Sequence, residues 1–221
     1  TNSLVLEMSD VQPVNLSTRL SYLLGYPHGC VEQITSKVFP QLYLSGFASL
    51  TREQEQSTEA TVKEVICRLR SYQTVDGSFS YWPGGTAPNA WGTVYAIHFL
   101  LEAEKKGYLV PEGMKRNALN DLSRIARNWK PEASYSAESE EMTQAYRLFV
   151  LALGQVAEVG AMNRLKESKT LMSMSRYLLA AGYALVGRPD VSKELVVKTT
   201  ALTTACSGYD QTFGSDLRDI S

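Results

Sequence analysis

Residues 51 to 72 read TREQEQSTEATVKEVICRLRSY, and they predict one long amphipathic helix. Thr51 and Gln54 stand three residues apart, which is the spacing of a capping box in which each side chain pairs with the backbone N–H of the other residue. After this cap, apolar residues recur every three or four positions on one face, namely Val62, Val65, Ile66 and Leu69. The segment therefore predicts a helix with one buried face.

The helical pattern continues on both sides of this segment, with Gly or Pro at nearly every break. Pro40 predicts a kink or a new helix, because proline lacks a backbone donor. Consecutive helices joined by short turns pack as antiparallel neighbours, so the chain predicts an all-α array of about nine helices in hairpins. Besides 51–72, we predict helices at 17–24, from Gly29 onward, at 89–107 with Trp91, Val94, Tyr95 and His98 facing inward, at 111–129, 142–153, 171–186 and 190–203.

The two ends of the chain depart from this pattern. Leu4, Leu6 and Met8 alternate with smaller or polar residues, which predicts a β-strand that ends before Pro13. At the other end, GYDQTFGSDLRDIS is a loop followed by a helix start at Ser215 and Asp216. We therefore expect one N-terminal strand and a helical array that is incomplete at its C-terminus.

The composition favours a globular chain and argues against several kinds of partner. Apolar residues make up 44% of the sequence, while 22 basic and 23 acidic residues leave a net charge of −1. No basic run provides the field that a nucleic acid or an anionic membrane would need, and no apolar run is long enough to cross a bilayer. The three cysteines are far apart and imply neither a disulfide framework nor a metal site, and no cofactor is indicated.

Residues 26 to 33, YPHGCVEQ, place a cysteine and a glutamine three positions apart at a predicted helix start. Side chains at this spacing meet on one helix face, so the Cys30 thiolate could attack the Gln33 amide, release ammonia and leave an internal thioester. The alternative is a small buried thiol at the start of an ordinary helix. Glu32 is either a proton shuttle in this chemistry or an acidic residue favoured by the helix dipole.

A wider context surrounds these residues. The run RLSYLLGYPHGCVEQITSKVFPQLYL (19–44) resembles the thioester domain of the alpha-2-macroglobulin and complement family, above all its bacterial members. The loop GSFSYWPGG (77–85), the helix NAWGTVYAIHFLLEAEKKGY (89–108), the segment YRLFVLAL and the ending GSDLRD extend the resemblance over the chain. It implies an α/α toroid of helical hairpins over residues 15–221, with residues 1–14 as a strand or linker from a preceding β-rich region.

The resemblance also implies a function. Members of this family are broad-spectrum protease inhibitors or opsonins, in which cleavage of a bait segment exposes the thioester and the attacking protease is captured covalently. By position, Cys30 and Gln33 match the thioester pair. The chain is thus expected to belong to a single-turnover trap rather than an enzyme, with target proteases and neighbouring domains as partners. Bacterial members are periplasmic and often lipid-anchored, which sets the expected location.

One departure from the family concerns histidine. Members that attack hydroxyls carry an acyl-accepting histidine on a later helix, and the matching stretch here, AESEEMTQAY, has a serine or glutamate near Ser139 instead. His98 lies between apolar residues and is interpreted as a packed core histidine. His28 occupies the variable position of the turn and could form a Cys–His pair with Cys30. We therefore expect amines, meaning lysines of a captured protease, to be preferred over hydroxyls.

Tyr81 and Trp82 have two interpretations. Aromatic residues in a Pro-Gly loop are often part of the local core, but a thioester also needs an apolar cover against water. In the family, aromatic side chains and a neighbouring domain provide that cover. We expect Cys30 and Gln33 to lie together on the surface of the ring, close to this 79–85 loop.

Two other functions fit parts of the sequence. QTVDGSFSYW also resembles the repeats of terpenoid cyclases and protein prenyltransferases, which share the toroid architecture. Those enzymes need an aspartate-rich motif or an Asp/Cys/His zinc set, whereas this chain has two histidines and only Asp216 and Asp219 close together. The other alternative is an interaction module of the same fold that never closes a thioester.

Overall fold

The computed structural model describes residues 24–25, 27–47, 49–131, 137–168 and 171–197, without the side chains of residues 47, 137 and 138. Within these ranges lie nine α-helices: α1 (Val31–Val38), α2 (Leu44–Phe47), α3 (Arg52–Leu69), α4 (Ala90–Lys105), α5 (Glu112–Asn128), α6 (Ala137–Leu153), α7 (Val159–Lys166), α8 (Ser173–Leu185) and α9 (Pro189–Val197). Two 3-10 helices, Phe39–Leu42 and Arg70–Tyr72, extend α1 and α3.

The helices pack in two layers. Helices α1, α4, α6 and α8 contact one another in that order and form the inner layer. Helices α3, α5, α7 and α9 each pack against members of that layer from the other side. Apart from the short helix α2, inner and outer helices alternate along the chain, so the array has the arrangement of an α/α toroid built from antiparallel hairpins, as predicted.

The packing explains how each helix is patterned. Helix α4 is covered by α1, α6 and the outer helices, and nine of its residues from Gly92 to Ala103 are buried. Helix α3 instead buries one stripe that includes Val62, Val65, Ile66 and Leu69, as its sequence predicted. The largest fully buried side chains of the core are Tyr72, Tyr183, Phe79, Phe99, Ile34, Ile66, Leu69, Ile97, Leu100, Leu122, Leu148 and Leu151.

Several local predictions are confirmed. The capping box of α3 is formed, with the Gln54 N–H donating to Thr51 Oγ1 at 3.2 Å and the Thr51 N–H donating to Gln54 Oε1 at 2.9 Å. Asn89 caps α4 by accepting from the Gly92 N–H at 2.7 Å. Pro40 lies in the first turn of the 3-10 helix that follows α1, where its missing N–H leaves no helix bond unmade.

Other predictions are corrected by the structure. The inward face assigned to α4 is only partly right, since Val94 is fully buried but Trp91, Tyr95 and His98 are half-buried. Helix α1 begins at Val31 rather than at Gly29. Helix α7 was not predicted, because it is short, has Gly160 in its first turn and buries only Ala161, Met162 and Leu165.

Some predictions lie outside the described residues: the strand and linker at 1–14, nearly all of the 17–24 helix, and residues 198–221. In the part of the chain that the structure describes, extended pairing is limited to two isolated bridges, Gln73 with Phe79 and Ser80 with Pro88. None of the helices that the structure describes is both long and apolar enough to span a membrane.

Candidate functional site

The first turn of α1 brings Cys30 and Gln33 together. Cys30 is the N-cap residue, with extended dihedral angles of φ −71° and ψ 170°. Its backbone N–H donates to Gln33 Oε1 at 3.0 Å, while its side chain faces the Gln33 backbone N–H. The two residues thus form a reciprocal capping box in which cysteine replaces the usual serine or threonine. The arrangement holds the carbonyl of the Gln33 side chain beside Cys30.

Gly29 makes this arrangement possible. Its φ of 120° lies in the region that favours glycine, and a Cβ atom there would overlap Gln33 Oε1. The amide of Gln33 therefore occupies the space that a side chain at position 29 would fill. A residue other than glycine would force this amide away from Cys30.

The turn before α1 is anchored from three directions. Tyr72, which is fully buried, donates its hydroxyl to the Gly29 carbonyl at 2.7 Å, and Arg68 Nη1 donates to the Pro27 carbonyl at 3.1 Å. Helix α4 approaches closely from the third side, since a Cβ atom at Gly92 would overlap the Val31 side chain. The Cys30 turn is therefore held by α3, α4 and the 3-10 helix at Arg70–Tyr72.

The segment between Gln73 and Asn89 lies against the same turn. The Val31 N–H donates to the Tyr81 carbonyl at 3.0 Å, which fixes the segment on the first turn of α1. Phe79 is fully buried, and its N–H donates to Thr93 Oγ1 on α4 at 2.9 Å. The sequence therefore placed the 79–85 loop correctly, next to Cys30 and Gln33.

Tyr81 and Trp82 project from this segment with 41% and 55% of their surface exposed. Their rings meet edge to face, with centroids 5.3 Å apart. Interaction with Cys30 is the main cause that raises the pKa of Tyr81 above its usual value, and burial and the Glu32 carboxylate add to it. Cys30 is 1% exposed, so the expectation that it lies at the surface is wrong, whereas Gln33 is exposed.

Glu32 is exposed in the first turn of α1, where a carboxylate stabilises the helix dipole. Its charge also reaches the tyrosines around the site. Burial is the main cause that raises the pKa of Tyr95, and the Glu32 carboxylate adds to it. Glu32 therefore contributes negative charge on the open side of the site.

The two histidines have different surroundings. His98 on α4 packs edge to face with Phe39, Tyr146 and Phe149, and its Nδ1 lies 2.8 Å from the Tyr146 hydroxyl. This confirms the interpretation of His98 as a packed, hydrogen-bonded histidine. His28 is exposed two residues before Cys30, and Ser139 is exposed in the first turn of α6.

The burial of His98 predicts a pH dependence of stability. Burial lowers the pKa of His98 to about 4, from 6.5, although the Glu102 carboxylate acts in the opposite direction and Lys105 adds to the lowering. Between these pH values the unfolded chain binds a proton that the folded chain does not, so stability falls as the pH drops from 6.5 to 4. We expect this contribution to reach about 3 kcal/mol and to disappear in a His98→Gln variant. Urea unfolding of both proteins across this range tests it, and parallel curves would contradict it.

The supporting residues Tyr72, Arg68, Gly92 and Thr93 were not predicted to belong to the site. Each acts through a contact between segments that are far apart in the sequence, so no local pattern identifies them. The sequence did predict Asn89 as the N-cap of α4, and this cap sets the positions of Gly92 and Thr93 on the helix. No other sequence feature pointed towards these supporting residues. Among the residues that the structure describes, no group of three or more His, Cys, Asp or Glu side chains could hold a metal ion.

The chain is similar to known proteins in both sequence and structure. A model of the A-macroglobulin TED domain matches residues 3–146. The alpha-2-macroglobulin of Escherichia coli K12 is 28% identical over 224 residues, an alignment that covers 96% of this chain and 14% of that protein. The structure of Salmonella alpha-2-macroglobulin reacted with methylamine superposes with a TM-score of 0.76 at 28% identity, over 94% of this chain and 14% of that one.

A further solved structure, Escherichia coli alpha-2-macroglobulin activated by porcine elastase, gives a TM-score of 0.68 at 26% identity over 79% of this chain and 17% of that one. The chain spans only about a seventh of the length of the first of these relatives, since the alignment covers 14% of it. The family model covers well over half of the chain and includes the Cys30 turn and the 73–89 segment. The chain therefore belongs to the A-macroglobulin TED domain family.

Proposed function

We propose that this chain is the reactive domain of a protease trap, in which Cys30 and Gln33 form an internal thioester that acylates an incoming amine. One observation carries the proposal. The Gln33 side-chain carbonyl is held beside Cys30, with its oxygen accepting from the Cys30 backbone N–H at 3.0 Å. This is the placement that an intramolecular attack needs, because it removes the cost of bringing the two groups together.

The same contacts support both steps of the chemistry. In the first, the Cys30 sulfur attacks Gln33 Cδ, and the amide nitrogen leaves as ammonia with the thiol proton. The Cys30 N–H, at the N-terminus of α1, stabilises the negative charge that develops on Oε1. In the second step an amine attacks Cδ, and the Cδ–Sγ bond breaks with its electron pair going to the sulfur. The proton that the amine nitrogen loses ends on the Cys30 sulfur, and the amine remains attached through an amide bond.

Burial around the sulfur supports a stored electrophile. Cys30 is 1% exposed, the Tyr81 carbonyl accepts from the N–H of the adjacent Val31, and the Trp82 ring packs edge to face on Tyr81. Exclusion of water slows hydrolysis of such a bond. We propose that Tyr81 and Trp82 shield the thioester, and that Glu32 is available on the exposed side to exchange protons with solvent.

The proposed targets are proteases, captured through lysine amines. Structures of Escherichia coli alpha-2-macroglobulin activated by trypsin and by elastase support this class of partner. The methylamine-reacted Salmonella protein supports amine chemistry. His98 is half-buried, packed among aromatic rings and hydrogen-bonded to Tyr146, so we do not expect it to serve as an acyl acceptor for hydroxyl attack. Each molecule would react once, in the periplasm, so the protein would be an inhibitor rather than a catalyst.

The test is the intact mass of the protein expressed from its complete gene, before and after methylamine. We expect the wild-type protein to be lighter than its sequence by one ammonia and to gain one methylamine at Gln33. A Cys30→Ala variant should show neither change, because it has no leaving group. Cys67→Ala is the matched control, since Cys67 is an exposed free cysteine on α3 and should leave both changes intact.

Two results would contradict the proposal. Methylamine on Gln33 in the Cys30→Ala variant would mean that another group activates the amide. A wild-type protein with neither ammonia loss nor methylamine uptake would favour the interaction module, in which the toroid is kept without its chemistry.

A further inference from the structure

The peptide unit between Gly29 and Cys30 is held at both of its polar groups. Its N–H, which belongs to Cys30, donates to Gln33 Oε1 at 3.0 Å. Its carbonyl, which belongs to Gly29, accepts from the Tyr72 hydroxyl at 2.7 Å. A chain of two hydrogen bonds therefore runs from Tyr72, through this one peptide, to the carbonyl oxygen of the Gln33 side chain.

Gly29 does not fix the plane of this peptide by itself. Glycine has no Cβ atom and restricts its own dihedral angles less than other residues do, and the φ of 120° here lies in the region that favours it. The rotation of the peptide is therefore set by what its two polar groups contact. The Tyr72 hydroxyl provides a contact from outside the turn that carries Cys30 and Gln33.

Tyr72 is suited to hold a group in place, because it is itself held firmly. Its side chain is fully buried, and it lies on the 3-10 helix Arg70–Tyr72 that extends α3. Its backbone carbonyl accepts from the Ser80 N–H at 2.8 Å, which ties it to the 73–89 segment. A phenylalanine would fill nearly the same space, so the hydroxyl is the part of this side chain that acts on the reactive turn.

The contact bears on the charge that develops on Gln33 Oε1. When the Cys30 sulfur or an amine attacks Cδ, an electron pair of the carbonyl moves onto Oε1, and it returns when ammonia or the sulfur leaves. The Cys30 N–H already donates to this oxygen. A hydrogen bond accepted by the carbonyl of a peptide polarises the N–H of the same peptide, which makes that N–H a stronger donor.

We propose that Tyr72 is a positioning residue of the trap, which acts through the Gly29–Cys30 peptide to orient and strengthen the N–H that stabilises the oxyanion. This inference rests on the proposed thioester. Tyr72 exchanges no proton with the reacting atoms and keeps its bond to the Gly29 carbonyl throughout. It therefore lowers the barrier both to closing the thioester and to opening it.

A Tyr72→Phe variant tests this role, with Tyr183→Phe as the matched control. Tyr183 is also buried, and its hydroxyl donates to Asn163 Oδ1 at 2.6 Å, between α8 and α7, neither of which holds the Cys30 turn. Each variant loses one buried hydroxyl bond, so both should melt at a similarly lowered temperature. In the protein expressed from its complete gene, methylamine uptake by Tyr72→Phe should be about 10-fold slower than in wild type, the rate equivalent of one hydrogen bond. Tyr183→Phe should react at the wild-type rate.

The direction of the effect separates a positioning role from a structural one. Attack by water passes through the same oxyanion, so hydrolysis of the thioester in Tyr72→Phe should slow as methylamine uptake does. If the hydroxyl only held the turn together, its loss would loosen the packing around Cys30 and hydrolysis would become faster. An unchanged or faster rate of either reaction in a Tyr72→Phe protein with an intact thioester would overturn the proposal.

The infrared band of the thioester carbonyl provides an independent measurement, and it is identified as the band that methylamine removes. A weaker hydrogen bond to the carbonyl oxygen leaves a stronger C=O bond. The band should therefore lie at higher frequency in Tyr72→Phe than in wild type or Tyr183→Phe, and equal frequencies would count against the proposal.

The intact mass is read before the kinetics. A wild-type protein without ammonia loss shows failure of the thioester itself, rather than of the role of Tyr72. Loss of ammonia in wild type and Tyr183→Phe but not in Tyr72→Phe, at matched melting temperatures, would show that closure depends on the hydroxyl and would support the proposal. A Tyr72→Phe protein that melts far below Tyr183→Phe and lacks the thioester would show that the hydroxyl is structural, contrary to the proposal.

Discussion

A Gly29→Ala variant is expected to form no thioester and to take up no methylamine. The φ of 120° at position 29 is unfavourable for alanine, and the added Cβ atom would overlap the Gln33 carbonyl oxygen. Strain of this kind costs about 1 to 3 kcal/mol if the backbone stays in place. Either the turn rotates or the Gln33 amide leaves its position beside Cys30, and both outcomes separate the reacting atoms. Intact mass and methylamine labelling of the protein from its complete gene measure the loss.

Gly113→Ala is the control for this variant. Gly113 lies in the first turn of α5, and a Cβ atom there would have no neighbour within 4 Å. The control should keep the thioester and melt at or slightly above the wild-type temperature, since alanine is a better helix former than glycine. Ammonia loss in the Gly29→Ala protein would show that the turn tolerates a side chain and that Gly29 does not position Gln33.

Phe79→Ala is expected to lower the free energy of unfolding by about 3 to 5 kcal/mol, as large-to-small changes of a buried phenylalanine do. Phe79 is fully buried, and its carbonyl accepts from the Asn89 N–H at 2.8 Å while its N–H donates to Thr93. Its loss leaves a cavity where the 73–89 segment meets α4. Because the same segment carries Tyr81, we also expect faster spontaneous loss of the thioester. Urea unfolding and the time course of hydrolysis measure the two effects.

Val75→Ala is the control in the same segment. Val75 is fully exposed, so its truncation should change stability by no more than about 0.5 kcal/mol. A change below about 1 kcal/mol for Phe79→Ala would mean that the segment is held by its backbone hydrogen bonds rather than by its buried ring.

The features that could be predicted from the sequence are local. The cap of α3 at Thr51 and Gln54 and the cap of α4 at Asn89 depend on residues three apart, so they need no tertiary information. The contact between Cys30 and Gln33 is local in the same sense, since both belong to one turn. The alternation of helices and Gly or Pro breaks was enough to predict hairpins.

The features that could not be predicted depend on packing between distant segments. Helix α4 is buried on nearly every side, so its apolar residues form no single stripe and the predicted inward face was only partly right. Cys30 is buried at a turn whose next residue, Val31, is hydrogen-bonded to Tyr81, a residue far along the sequence. The burial of Cys30 does not follow from residues 26–33 alone.

The order of contacts in the inner layer has a consequence for how the chain tolerates change. Helix α1 contacts α4, α4 contacts α6, and α6 contacts α8, so each inner helix is supported chiefly by its immediate neighbours. In such quasi-one-dimensional arrays the effect of a substitution fades with each interface that it must cross. Residues of α8 and α9 can therefore diverge while the geometry around Cys30 is preserved. Substitutions at the contact between α1 and α4, where Gly92 lies against Val31, act directly on the reactive turn.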